Sequence, residues 1–526
     1  MTRQVKLKLP SQDVQSSNLD SQSPIFNLDQ GILWRIFSIL AHIKGNDNNP
    51  RALISLRRLS QVSTSWRELI LASPSLWGRV IDFACLQQPS DDWRIEVLRR
   101  TDNSPLYIQA WLGHGDSRLE AFLALILEKQ WTRIRWLNIG LGRSCPLAED
   151  AMWRTFQTPA PQLEHYSVVL ERPPPRSLLA TIGLNMFGNH APLIKHFASA
   201  DFKIRGLHSN WLTDIRNLHF TCHFAAPEFL DVLSQMPFLE TLEVFTDAEE
   251  AEMPVIGKNM LQTVTLPHLK DFGVNTGQAM NKYLAVLEHL VLPAVCEFRF
   301  QTGVAALVQS NLVAAQRVLH SYFELCFKHF SPYDLILEMD KRNFNLSACG
   351  FSFSFGLEFD RDIPDPCMFL KGLGSSSVPL EDIIRCSIVI SGHNLPPNDA
   401  NFSQTLALLS SVEELEVNPN ALRFLSPMLT EGDVIPMPAL RELVISEFDN
   451  LDPDVLLDFF ALRHTVNAPI QVLDLTKDRE CRLKLYNLGP LDQVPGLRVV
   501  WFSGSRRQEY FCGDGNSFAL DFKDNS

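Results

Sequence analysis

The sequence predicts an α/β protein in two unequal parts: a short helical segment near the start, then a long succession of strand–helix units. Three observations carry that expectation. Between residues 25 and 77 apolar side chains recur every three or four positions, the spacing of one face of a helix. Beyond residue 100 another template keeps returning: apolar, two residues, apolar, one residue, apolar. Finally, 526 residues are too many for one ordinary compact core but suit an extended array.

The first 22 residues are polar and predict a disordered N-terminus with no apolar core of a secretory signal. A helix is expected over 25–40, with Ile32, Leu33, Ile36, Phe37 and Leu40 on its stripe and Asp29 as N-cap. "HIKGNDNNP" (42–50) breaks the pattern. Leu53, Leu56, Leu59, Val62, Trp66 and Leu69 form a second stripe, which Pro74 ends. Helices this short bury themselves poorly, so part of the apolar surface must meet a partner or the rest of the chain. Trp66 and Trp77 have two readings at this stage, partner-facing edge or plain core aromatics.

The same residues carry a family resemblance. Leu28, Ile32, Leu33, Ile36, Phe37, Leu59, Val62, Trp66, Arg67, Leu69, Pro74, Leu76 and Trp77 match the pattern of the F-box, as found in the F-box proteins abundant in fungal genomes. Asp29 replaces the usual proline of the Leu-Pro start, and Ser63 replaces the usual cysteine. The resemblance covers residues 23–80. It implies docking on a Skp-type adaptor, and through it a cullin scaffold, by Leu28, Ile32, Leu33, Ile36, Phe37, Val62, Trp66 and Leu69. Asp29 is expected to loosen the entry segment, because the φ that proline fixes is lost.

After a junction at 81–130, the strand template marks 131–510. It appears around Ile134 and at 163–168, 215–220, 239–244, 269–274, 295–300, 383–388, 412–417, 440–445, 470–475 and 497–502. Steps run from 24 residues (215 to 239) to 30 (239 to 269), at or just beyond the leucine-rich-repeat range. Helices are expected between strands at 226–238, 281–293 and 452–464. The expected architecture is an irregular leucine-rich-repeat-like solenoid, with a parallel sheet on the concave face and helices and loops outside. A generic α/β sheet domain is the alternative. The consensus asparagine is mostly missing, 302–382 fits badly, 343–359 reads as one or two extra strands, and 511–526 is a tail.

Composition excludes several functions. The net charge of −13 argues against a nucleic-acid binder, and no apolar run approaches the roughly 20 residues of a membrane span. The ten cysteines contain no CxxC pair, which points to buried thiols in a reducing compartment, cytoplasmic or nuclear. "IGLGRS" (139–144) is a poor nucleotide loop, and "HFTCH" (219–223) lacks a fourth ligand for zinc. "ERPPPR" (171–176) reads as a rigid loop rather than a polyproline ligand. No catalytic, metal or cofactor site is expected.

Strand alternation sends the residues between the apolar triplets to the other sheet face. Glu243, Asp271, Glu297, Arg299, Glu414, Glu416, Glu442 and Asp474 fall there, seven acidic and one basic. Such a column is either fully hydrated or offset by a basic segment of a target protein. Together with the resemblance, this implies a substrate receptor of a SKP-cullin-F-box ubiquitin ligase rather than an enzyme. A scaffold acting outside a ligase is the other reading.

Overall fold

The computed structural model describes residues 28–42, 52–113, 117–142, 150–171, 186–199, 210–222, 224–246, 261–328, 332–348, 353–373, 380–392, 399–431, 435–447, 451–477 and 486–522. Residues 1–22, the end of "IGLGRS", the prolines of "ERPPPR" and His223 of "HFTCH" lie outside them.

Helix α1 (Gln30–Leu40) begins where its sequence says it should: the Asp29 carboxylate accepts from the Gly31 N–H at 2.7 Å. Asp29 has φ −57°, within the range proline would impose, so the expected loosening of the entry is corrected. The cap holds the geometry that the ring would have fixed. The second stripe divides into α2 (Ala52–Leu59) and α3 (Thr64–Leu71), because Ser63 caps α3 by accepting from the Trp66 N–H at 3.2 Å. Val62 therefore sits in the turn between them.

Helix α4 (Pro74–Gly78) starts on Pro74, at a position whose N–H has no helical partner anyway. Phe37 meets Trp66 edge-on at 5.0 Å, among buried Leu33, Leu53, Leu56 and Ile70. Trp77 donates its indole N–H to the Ile70 carbonyl at 2.9 Å. The Arg100 guanidinium, 4.5 Å from the Trp77 ring, ties it to α5 (Asp92–Arg100). Of the two readings of these tryptophans, the core one holds for both.

The stretch 81–130 carries more than a junction. It contains the parallel strands β1 (Ile81–Asp82) and β2 (Leu106–Leu112), then α6 (Ser117–Gln130). The sheet continues through β3 (Ile134–Leu141), β4 (His165–Leu170), β5 (His196–Ser199), β6 (Asn217–Thr221) and β7 (Thr241–Phe245). Next come β8 (Val264–Thr265), β9 (Asp271–Thr276), β10 (Leu290–Val291) and β11 (Glu297–Ala305). Then follow β12 (Asp334–Met339), β13 (Asn343–Ala348), β14 (Phe353–Phe359), β15 (Arg385–Ile390) and β16 (Glu414–Val417). The last are β17 (Glu442–Ile445), β18 (Val472–Asp474), β19 (Arg498–Ser503) and β20 (Arg506–Phe511).

Among the described residues, eighteen strands form one mostly parallel sheet, with β8 and β10 as a separate parallel pair. The ladder runs in chain order to β11, which pairs parallel with β14. Strands β14, β13 and β12 then lie antiparallel before β12 returns the sheet to parallel pairing with β15. This fold-back is the badly fitting 343–359 segment. The Asp340 carboxylate holds its turn by accepting from the Arg342 and Asn343 N–H groups at 2.6 and 2.7 Å.

One face of the sheet is apolar, and the register stacks its residues: Leu242, Phe272 and Phe298 in the first half, Leu415, Leu443 and Leu473 in the second. Helices at Ala226–Ser234, Met280–Leu287, Gln309–Phe327, Ala400–Leu408 and Pro453–Thr465 bury their apolar sides in the same core. The expected helix over 281–293 stops at Leu287, because "LV" at 290–291 pairs as β10. Asp452 caps the helix at 453, as its place in the sequence predicts. Asn418 is fully buried after β16 and bonds both backbone groups of Ile390, donating to the carbonyl at 2.9 Å and accepting from the N–H at 3.2 Å. No helix among the described residues is long and apolar enough to cross a membrane.

Candidate interaction surfaces

Two surfaces stand out. On α1, the side chains one position ahead of the buried Leu33 and Phe37 face outward. Ile32 is 51% exposed, Ile36 37%, Ile39 60% and Leu40 48%, an unbroken apolar strip one helix face wide. Val62 is also exposed, while Leu28 and Leu69 are half-buried against the core. Leu33, Phe37 and Trp66, expected at the partner face, are instead withdrawn into the interior. The helix carries two adjacent apolar stripes, and only one can pack on α2 and α3. Ile39 was legible as the i, i+4, i+7 continuation of Ile32 and Ile36, but the stripe was assigned to the other side.

The second surface is the sheet face opposite the helices. Its register builds a row that runs Tyr107, Trp136, His165, His196, Asn217, Thr241, Asp271, Glu297 from β2 to β11. Trp136 stacks on His165 at 4.9 Å, and His165 stacks on His196 at 3.9 Å with planes 5° apart. His219, one row over, lies 5.4 Å from His196 and shares a hydrogen bond of 2.7 Å with Glu243. Burial, reinforced by His219, lowers His165 to about 4; burial and both neighbouring imidazoles lower His196 to about 3. At the same face Trp111 is 61% exposed, and its ring lies over Gly140, where an added Cβ would come within 2.1 Å of the ring. The sequence template counted apolar triplets and acids, so it passed over this aromatic and histidine run.

The acidic column is present but differs from expectation. Arg299 donates to Asp271 at 2.7 Å and lies 3.8 Å from Glu297, while Glu243 has His219. In the second half Arg385 pairs with Glu414 at 3.0 Å and Lys477 with Glu416 at 3.5 Å. The register is the reason: it sets Arg385 directly opposite Glu414, and Arg299 next to the Asp271 row. The chain's own cations thus offset much of a column that was expected either to stay hydrated or to await a basic ligand.

The least relieved acid is Glu442, opposite Glu414 in the ladder. Its carboxyl is raised above the ordinary range, first by burial and then by Glu414 and Asp474. A carboxyl raised in the fold favours the native state only when protonated, so at neutral pH its charge is a burden. Glu442→Gln is expected to raise the thermal midpoint by roughly 1–3 °C at pH 7. The gain should shrink as pH falls below about 4, and a midpoint at pH 7 equal to or below the parent's would contradict it.

Among the described residues one group is close enough to hold a metal: Asp365, Cys367 and Asp399, with ligand atoms within 4.8 Å of one another. Its carboxylates are already used as caps. Asp365 accepts from the Cys367 N–H at 2.9 Å, and Asp399 from the N–H groups of Asn401 and Phe402 at 2.8 and 3.0 Å. Burial first, then both carboxylates, push the Cys367 thiol up to about 12, away from the thiolate a metal needs. Cys296, Cys326, Cys386 and Cys512 are likewise buried thiols raised to about 12.

Comparison with known proteins assigns no family: no protein-family model matches the chain, and no curated protein matches its sequence. Fold and surfaces define an α/β protein with a large, mostly parallel sheet, helices along one sheet face and an apolar strip on its first helix.

Proposed function

We propose that the chain is the substrate receptor of a SKP-cullin-F-box ubiquitin ligase. In this reading α1–α4 form an F-box that docks a Skp-type adaptor, and the strand–helix units form a leucine-rich-repeat-like solenoid that holds a target protein. The observation that carries it is the exposed strip Ile32, Ile36, Ile39 and Leu40, four large apolar side chains on one helix face within the segment whose residues resemble the F-box. A face of that kind marks a protein contact. The receptor supplies no acid, base or nucleophile. It raises the local concentration of target beside the ligating enzymes.

The test is adaptor capture by the full chain carrying Ile36→Glu and Ile39→Glu. Both side chains are exposed, so folding is spared while two charges enter the apolar contact. Capture should fall at least a hundredfold with an unchanged melting profile. Undiminished capture removes the docking face. A parent chain that captures no adaptor leaves the scaffold reading in its place.

A further inference from the structure

We propose that the exposed face of β2 to β11 is a docking strip for one extended segment of a partner protein, with an aromatic residue seated on Trp111 and a lysine or arginine seated among Glu243, Asp271 and Glu297. Only the naming of that partner as a ligase target rests on the preceding reading.

The strip has three parts. At one end Trp111 is an aromatic platform: its ring is supported by Gly140, which leaves it room, and is 61% exposed. At the other end, Glu243, Asp271 and Glu297 face one arginine, Arg299, so the patch keeps a surplus of negative charge for a basic side chain. Between them lie the stacked rings of Trp136, His165 and His196. Neither of these two imidazoles forms a hydrogen bond within the described residues, and both are neutral at pH 7. A neutral imidazole carries one donor and one acceptor, the complement of a peptide backbone.

The spacing fixes the ligand's length. From β2 to β7 are five strand steps, about 24 Å at about 4.8 Å each, which an extended chain covers in about seven residues. The same features exclude other ligands. Surplus carboxylates repel phosphate groups, so a nucleic acid or an anionic lipid surface does not fit. Imidazole planes 5° apart at 3.9 Å aim their nitrogens side by side and do not converge on one metal ion.

The experiment measures binding of synthetic nine-residue peptides to the full chain by tryptophan fluorescence. One peptide carries Phe and Arg seven residues apart on a Ser/Thr background, and a second has them adjacent. The spaced peptide should bind at least tenfold tighter than the adjacent one. Trp111→Ala and Glu243→Gln should each weaken it about tenfold, whereas Phe518→Ala, on an exposed residue far along the chain, should not change it. Failure of the spaced peptide to bind, equal affinity for both peptides, or indifference to Trp111→Ala overturns the proposal. Adaptor capture is measured on the same variants. Peptide binding without adaptor capture keeps the strip and rejects the ligase reading; adaptor capture without peptide binding does the reverse.

Discussion

Replacing Arg463 with alanine is expected to lower stability by about 3–5 kcal/mol, among the largest single-site losses in the chain. The guanidinium is 1% exposed at the end of the helix Pro453–Thr465. It donates to the carbonyls of Ala468 at 3.0 Å, Pro436 at 2.9 Å and Met437 at 3.1 Å. Those carbonyls belong to the segments leading into β18 and β17, so one side chain fastens a helix to the starts of two strands. Met437 has φ +49°, a left-handed backbone that a methionine rarely adopts and that this hydrogen bond helps hold.

Burial lowers the Arg463 pKa to about 10, which still leaves it charged at neutral pH. Removing a buried charge recovers some desolvation energy. Its partners, however, are backbone groups that stay behind without donors, each at roughly 1–3 kcal/mol, and the emptied space adds to the loss. Arg463→Lys should recover only part, since an ammonium cannot reach three carbonyls with a planar fork. Urea unfolding gives the magnitude, and hydrogen exchange should show the loss concentrated at β17 and β18. An alanine variant within 1 kcal/mol of the parent would mean that desolvation and hydrogen bonding cancel here.

Much of this architecture was legible because strand alternation and helical spacing are local. All eleven copies of the strand template became strands, from β3 at Ile134 to β19 at Arg498. The missed strands show the limit. β2, "LYIQAWL", alternates but lies where no neighbouring copy set a period, and β5 is only "HFAS". The interaction surfaces were less legible, because they depend on register. No local rule says that His165 on β4 will face His196 on β5, thirty-one positions later, or that Arg385 will sit opposite Glu414. On α1 periodicity found the apolar residues but not which of two adjacent stripes would pack. That choice belongs to Trp66, which lies in another helix and takes Phe37 as its partner.

The stacked histidines also make the protein sensitive to acid. In the unfolded chain His165 and His196 have the ordinary value near 6.5. In the fold they are held at about 4 and about 3, principally by burial. Between these limits the unfolded chain binds protons that the native state refuses, so stability falls as pH falls from about 6.5 toward 4. Each site contributes at most about 1.4 kcal/mol per pH unit, and both are only partly covered. From pH 6.5 to 5 the pair should therefore account for about 2–3 kcal/mol. The groups around them do not relieve this: Trp136 and Asn217 are uncharged, and Glu243 already shares its hydrogen bond with His219. His165→Phe with His196→Phe keeps the ring stack on Trp136 and removes both titrating groups. Urea midpoints at pH 7, 6 and 5 should fall steeply for the parent and much less for the double variant. If both chains lose stability equally, the acid sensitivity lies elsewhere. If the parent shows none down to pH 5, the imidazoles take up protons within the fold, and two cations 3.9 Å apart would have to be tolerated on this face.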